Sequence, residues 1–191
     1  MKNNLFTTIT SGKYKGKKVM LPSSLTTRST KSIVKGSFFN TIQNELYEKT
    51  FIEVFGGSAL MAMEALSNGA KKAYAIEIDK NAFKLTLANT LSLKDENIKA
   101  FNADTFKITP ELVSKNSDVI LYIDPPFDIR EGFEDIYKKV WDMLTFIDRS
   151  KIYLVVIEHI SSYDAPNSCG EFIKFKSRKF GKTTLSYYQI Q

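Results

Sequence analysis

From residue 50 onward, short apolar runs alternate with longer amphipathic stretches. Residues 50–55 (TFIEVF), 72–77 (KAYAIE), 97–101 (NIKAF), 118–123 (DVILYI) and 151–157 (KIYLVVI) are rich in β-branched and aromatic side chains and read as strands. Between and around them, residues 58–68, 80–93, 105–115 and 132–146 carry apolar positions at helical spacing. Regular strand–helix alternation predicts right-handed crossovers and a parallel sheet with helices on both faces. The unbroken run Ile120-Leu121-Tyr122-Ile123 suits a strand covered on both sides.

The two ends of the chain follow different patterns. In residues 5–21, LFTTITS and KKVML flank the glycine-bracketed turn GKYKG and predict a hairpin. From Thr30 to about Tyr47, the apolar residues Ile33, Val34, Phe38, Phe39, Ile42 and Leu46 predict a helix with one apolar face. After Glu158 the loop SSYDAPNSCGE leads to FIKFKSRKF and TTLSYYQI, separated by Gly181-Lys182, which read as an antiparallel hairpin closing one sheet edge. The expected organisation is a small basic N-terminal hairpin and helix (1–49) followed by a catalytic domain (50–191). That domain is α/β and Rossmann-like, with a mostly parallel seven-stranded sheet ending in the antiparallel hairpin.

Composition narrows the partners. A chain of 191 residues, 43% hydrophobic, suits one compact domain rather than two. Residues 1–49 carry nine Lys/Arg against two Glu, residues 50–170 thirteen against eighteen acids, and residues 171–191 five against one. Basic ends around an acidic body suggest arms that dock on a polyanion, since lysines and arginines supply most sequence-independent affinity for nucleic acid. No run of about 18 apolar residues occurs and MKNNLFTTIT lacks a signal-peptide core, so a soluble cytoplasmic protein is expected, with no membrane partner. The single Cys169 excludes an internal disulfide and the single His159 leaves little for a metal site, so no metal is expected.

A doubly wound sheet binds its ligand outside the carboxyl ends of its strands, and the unusual residues lie there. After the first strand, EVFGGSALMAMEAL brings Gly56, Gly57 and Ser58 to a helix start, where free N–H groups and small residues allow close ligand approach. The dinucleotide and triphosphate glycine patterns are both absent. After the second strand, Glu77 stands where a carboxylate accepts hydrogen bonds from ribose hydroxyls, or is simply an exposed strand-end acid. After the third, Asp104 suits an adenine amino group or a helix N-cap equally. After the fourth comes Asp124-Pro125-Pro126-Phe127, a stiff turn holding one carboxylate, one carbonyl and one aromatic ring in fixed relation. Such a turn suits a planar ring carrying an amine.

The chain resembles the RsmD-type bacterial methyltransferases, from ITSGKYKGKKVMLP through TRSTKSIVKGSFFNTI, EVFGGSALMAMEALSNGA, AIEID and YIDPPF to VIEH and the closing hairpin. The resemblance implies S-adenosyl-L-methionine as cofactor and the exocyclic N2 of a guanine in 16S ribosomal RNA as methyl acceptor. It implies that Phe55, Gly57 and Ser58 border the methionine half of the cofactor, Glu77 the ribose and Asp104 the adenine. Glu53, Gly56, Ile78 and Asp124 complete the implied cofactor-binding set. Asp124 and the Pro125 carbonyl would accept the amine protons, and Phe127 would stack on the extruded base. Lys13, Tyr14, Lys15, Lys17, Lys18 and Arg28 would contact RNA, while Thr30, Phe39 and Asn40 belong to the segment that closes over the cofactor.

The implied partner is 16S ribosomal RNA or a small-subunit assembly intermediate, bound by a monomer. The sequence departs from the family pattern where Asp-x-Phe-Ala-Gly-Ser-Gly reads Glu53 to Ala59, where Arg-Pro-Thr reads Arg28-Ser29-Thr30, and at Ser32, Ile33 and Gly36. Two other readings are an adenine-N6 DNA methyltransferase, for which no target-recognition domain is visible, and an RNA-binding ribosome-assembly protein with weak catalysis.

Overall fold

The computed structural model describes residues 5–22, 28–126 and 135–191, with backbone alone for 28–31. A two-stranded ribbon, β1 (Leu5–Thr8) and β2 (Lys18–Leu21), precedes α1 (Arg28–Ile42). Alternation follows: β3 (Thr50–Glu53), α2 (Leu60–Ser67), β4 (Lys72–Glu77), α3 (Lys80–Ser92), β5 (Ile98–Asn102), α4 (Thr105–Ser114), β6 (Val119–Ile123), α5 (Ile136–Phe146) and β7 (Ile152–Ile160). The chain closes with β8 (Ser168–Cys169), β9 (Phe172–Phe180) and β10 (Thr183–Ile190).

The main sheet runs β5-β4-β3-β6-β7-β10-β9-β8, parallel through its first five strands and antiparallel thereafter. It has eight strands rather than the expected seven. The extra one, β8, pairs only Ser168 and Cys169 with Ile173 and Phe172, too short a stretch to show a period of two. Strand order reverses between β3 and β6, and the carboxyl ends of those neighbours open the crevice of a doubly wound sheet.

Successive strand residues point to opposite faces, so each inner strand feeds two cores. Phe51, Tyr122, Val156 and Tyr187 pack with α1 and α2 on one face, whereas Ile52, Leu121, Ile157 and Tyr188 pack with α4 and α5 on the other. The N-terminal segment joins the first core: Ile9 and Val19 from the ribbon, and Val34, Phe38 and Ile42 from α1, are all buried there. Ile33 is the exception to the expected apolar face. It is 60% exposed, because Val34, Phe38 and Ile42 recur every four residues and their neighbour falls off that stripe. The helix also stops at Ile42, and Leu46 reaches the core from the turn that follows.

Two polar links hold the N-terminal segment down. Lys35 and Glu64 form a buried ion pair between α1 and α2, and Glu64 Oε1 also accepts from the Thr10 N–H and hydroxyl, each at 2.9 Å. Asn89 of α3 exchanges two hydrogen bonds with the Met20 backbone, at 3.0 and 2.9 Å. Among the described residues, no helix is long and apolar enough to cross a membrane.

Candidate active site

The loop after β3 is shaped by close backbone approach. Glu53 is buried at the strand end, and its Oε2 accepts the Ala62 N–H at 2.9 Å. That bond satisfies a free donor in the first turn of α2, where the preceding Ala59 has no side-chain oxygen to offer. Gly56 donates to the Ile76 carbonyl at 2.6 Å, and a Cβ there would sit 3.0 Å from that oxygen and 3.1 Å from the Ile76 nitrogen. Gly57 has φ +48° and its missing Cβ faces open space, which leaves that side of the turn clear for a ligand. Thr86 holds the Gly57 carbonyl at 2.6 Å and Asn89 the Ser58 carbonyl at 2.8 Å. Ala59 is buried with φ +60°, a conformation costing a residue with a Cβ about 1–2 kcal/mol relative to its right-handed counterpart.

At the end of β4, Glu77 ties two loops together: Oε2 accepts the Gly57 N–H at 3.1 Å and Oε1 the Asp79 N–H at 2.8 Å. Each carboxylate oxygen has two lone pairs, so acceptor capacity remains on both. Ile78 beside it is 63% exposed. At the end of β5, Asp104 caps α4 by accepting the Phe106 N–H at 3.0 Å, so the N-cap reading of this residue holds. Its Oδ2 is 4.0 Å from the Lys107 ammonium. Phe55 and Phe106 meet edge-on with ring centroids 6.0 Å apart, and Thr105 donates to the Val54 carbonyl at 2.5 Å.

At the end of β6, Asp124 and Pro126 are half-buried and Pro125 is buried. Tyr122, two residues earlier, points to the α1 face and donates its hydroxyl to Glu158 Oε2 on β7. Burial above all, then the negative charges of Glu158, Asp124 and Glu53, hold the Tyr122 phenol well above its usual pKa. It therefore remains a neutral donor among carboxylates. Sequence reasoning missed this Tyr122–Glu158 pair; a lone phenol inside the apolar run 120–123 is its one visible sign. His159 is a core residue: Nδ1 lies 2.9 Å from the Ile160 carbonyl and so donates, while Nε2 at 2.9 Å accepts from the Ser186 hydroxyl. Burial lowers its pKa, which favours that neutral form.

The basic turn between β1 and β2 is docked on the body. Lys13 N–H donates to the Ser67 carbonyl at 2.8 Å and Tyr14 N–H to the Ser67 hydroxyl at 2.9 Å. The side chains converge on Asp95, with Lys13 at 3.1 Å and the Tyr14 hydroxyl at 2.5 Å. The Tyr14 hydrogen bond, followed by that of the Asn97 N–H, holds the Asp95 carboxyl far below the usual range. Lys13 and Tyr14 thus have intramolecular work, whereas Lys15, Lys17 and Lys18 are exposed. Phe127 and the side chains of Arg28 and Thr30 lie outside the described residues. Phe39 is core, packed edge-on to Phe38 at 4.9 Å, and Asn40 is exposed. Among the described residues no cluster of His, Cys, Asp and Glu has the makings of a metal site.

Comparison with known proteins shows the family and the fold. The family model described as Conserved hypothetical protein 95 matches residues 7–189. The chain is 27% identical over 147 residues to Ribosomal RNA small subunit methyltransferase D of Escherichia coli K12, an alignment covering 76% of this chain and 72% of the relative. It is 31% identical over 120 residues to the protein of that name from Buchnera aphidicola subsp. Baizongia pistaciae, covering 62% and 60%. In fold it matches a hypothetical protein of Thermus thermophilus, TTHA0928, with TM-score 0.74 at 17% identity, over 96% of this chain and 99% of the other. TrmK of M. capricolum, solved with S-adenosyl-homocysteine, matches with TM-score 0.58 at 12% identity, over 81% and 68%.

Proposed function

Since the chain belongs to the Conserved hypothetical protein 95 family, the RsmD-type methyltransferases, we propose that it methylates the exocyclic N2 amine of a guanine in 16S ribosomal RNA. The observation that carries this reading is the convergence, at four adjacent strand ends, of the Gly56-Gly57 turn, Glu77, Asp104 and Asp124-Pro125 on one crevice.

The residues fit S-adenosylmethionine. The open face of Gly57 leaves room for the methionine half, and Glu77, already braced by two backbone N–H groups, presents its remaining lone pairs to a ribose. Exposed Ile78 offers an apolar surface for a purine, and Asp104 an acceptor for its amino group. The cofactor brings a methyl group activated by a sulfonium charge.

The protein's task is then to aim a poor nucleophile, since the guanine amine lone pair is delocalised into the ring. Asp124 and the Pro125 carbonyl accept hydrogen bonds from the two amine protons and direct the lone pair outward, and the one proton in surplus after methylation is lost to solvent. Pro125 is buried and followed by a second proline, which fixes the carbonyl before substrate arrives. Alignment of this kind, with exclusion of water, supplies most of the rate. The neutral Tyr122 phenol, bonded to Glu158, keeps that buried carboxylate oriented at the neighbouring strand end.

Mass-spectrometric mapping of 16S ribosomal RNA from cells with and without the gene tests the reading. One N2-methylguanosine is expected to vanish with the gene. An unchanged methylation map would overturn the assignment, and loss of a methyl from an adenine instead would reassign the acceptor.

A further inference from the structure

We propose that the α1-facing side of β9, extended by the β9–β10 turn, is a docking surface for the RNA strand flanking the target base. The proposal rests on the RNA methyltransferase reading above and adds a second contact face, at the opposite end of the chain from the basic N-terminal turn.

Charge is the first argument. Lys176 and Arg178 lie on this side of β9 and Lys182 in the turn, and among the described residues none of them, nor Lys174 and Lys179 on the opposite face, pairs with a carboxylate. The one acid of residues 171–191, Glu171, is taken by Arg149 at 3.0 Å. Lys115, Lys138 and Lys49 elsewhere pair with Glu111, Asp142 and Asp118, whereas the hairpin cations stand close together with no free acid among them. Such a run of uncompensated cations fits a polyanion.

Orientation is the second. A bulge opposite Tyr187 and Tyr188 inserts Phe175 into β9 and reverses its pleat. Lys174 therefore turns to the Ala165 carbonyl at 2.7 Å, while Lys176 and Arg178 face α1. There they rest on neutral oxygens, Lys176 Nζ at 3.5 Å from Thr41 Oγ1 and Arg178 at 3.0 Å from Ser37 Oγ. The heads are held in position with their charge intact. Phe175, 51% exposed beside them, supplies a ring on which a base can stack.

Register is the third. Ile123 lies opposite Ile157, and Glu158 opposite Leu185, which lies opposite Arg178. Asp124 and Arg178 thus occupy one row across the sheet, three strand spacings or about 14 Å apart. Glu158 and Leu185 between them are buried, so the strand flanking a nucleotide extruded towards Asp124 would meet Arg178 at the exposed end of that row.

The test compares wild type with a rim variant, in which Lys176, Arg178 and Lys182 become Gln, and with a control of equal net charge, in which Lys84, Lys99 and Lys115 become Gln. Binding to a 16S-derived hairpin and to polyuridylate is measured across a salt series, with cofactor affinity and thermal midpoint as folding checks. The rim variant is expected to bind roughly tenfold or more weakly, with a salt slope smaller by about 0.7 per lost phosphate contact, and the control to stay near wild type. Equal losses in rim and control variants, or a rim variant with wild-type slope, would overturn the proposal while wild-type methylation leaves the enzyme reading intact. Unchanged binding to naked RNA with weakened capture of the assembled small subunit would assign the face to a ribosomal protein instead. If wild type itself neither binds nor methylates RNA, the enzyme reading fails first. Should the threefold variant not fold, the exposed pair Arg178→Gln/Lys182→Gln carries the same comparison.

Discussion

Replacing Lys35 with Met isolates the link that fastens α1 to the body. Glu64 is fully buried, and its Oε1 gathers the Lys35 ammonium, the Thr10 N–H and the Thr10 hydroxyl, while Oε2 has no partner among the described residues. Without the ammonium, a buried carboxylate keeps only two neutral hydrogen bonds, and breaking such a pair typically costs about 3–5 kcal/mol. For a domain of this size each kcal/mol shifts the thermal midpoint by about 2–4 °C, so a fall of roughly 6–20 °C is expected. The double variant Lys35→Met/Glu64→Met removes both charges and should recover most of the loss, short of the about 1–3 kcal/mol left by an unsatisfied Thr10 N–H. Urea unfolding followed by circular dichroism, run as a double-mutant cycle, reads both numbers. A Lys35→Met protein within about 1 kcal/mol of wild type, with no coupling in the cycle, would refute the claim that this pair holds α1 in place.

Gly56→Ala should destabilise by about 1–3 kcal/mol in urea, because its Cβ meets strand backbone, whereas Gly36→Ala, with nothing within 4 Å, should stabilise by about 0.5–1 kcal/mol. Glu77→Ala should weaken S-adenosylmethionine roughly tenfold or more by calorimetric titration, and equal affinity in a folded variant would remove Glu77 from the ribose site. Asp95 has its pKa depressed chiefly by the Tyr14 hydroxyl, so its stabilising effect is fully present above the ordinary carboxylate pKa of about 3.9 and is lost as pH falls through the lower folded value. Tyr14→Phe should therefore lower stability at neutral pH and make the acid limb of thermal midpoint against pH shallower; an identical limb would show that the contact is inert.

The alternation of strands and helices was legible because β6 and β7 are buried on both faces and announce themselves as apolar runs, and β4 and α3 end within a residue of where periodicity puts them. What stayed hidden depends on residues far apart in the chain. Tyr14 meets Asp95 across 81 positions, and Tyr122 meets Glu158 across 36, through a β6–β7 register that no local pattern encodes. Glu53 looks in the sequence like a ligand-binding acid, and no local pattern shows that it also accepts a backbone N–H of α2. Ile33 and Val34 are both apolar, and Val34 turns inward because it shares a stripe with Phe38 and Ile42, of which Phe38 packs on Phe51 and Tyr122. That Glu77, Asp104 and Asp124 stand at neighbouring strand ends was readable because strand ends in a parallel sheet open on one side whatever the intervening helices do.

The central claim is that Asp124 orients a guanine amine for methyl transfer, and the most direct measurement is single-turnover transfer of labelled methyl from S-adenosylmethionine to a 16S-derived RNA, with nucleoside mass spectrometry of the product. Wild-type protein should yield N2-methylguanosine, and folded Asp124→Ala should lose orders of magnitude in rate while its cofactor affinity changes far less. Full activity in Asp124→Ala, or a labelled base other than guanine, would contradict the account.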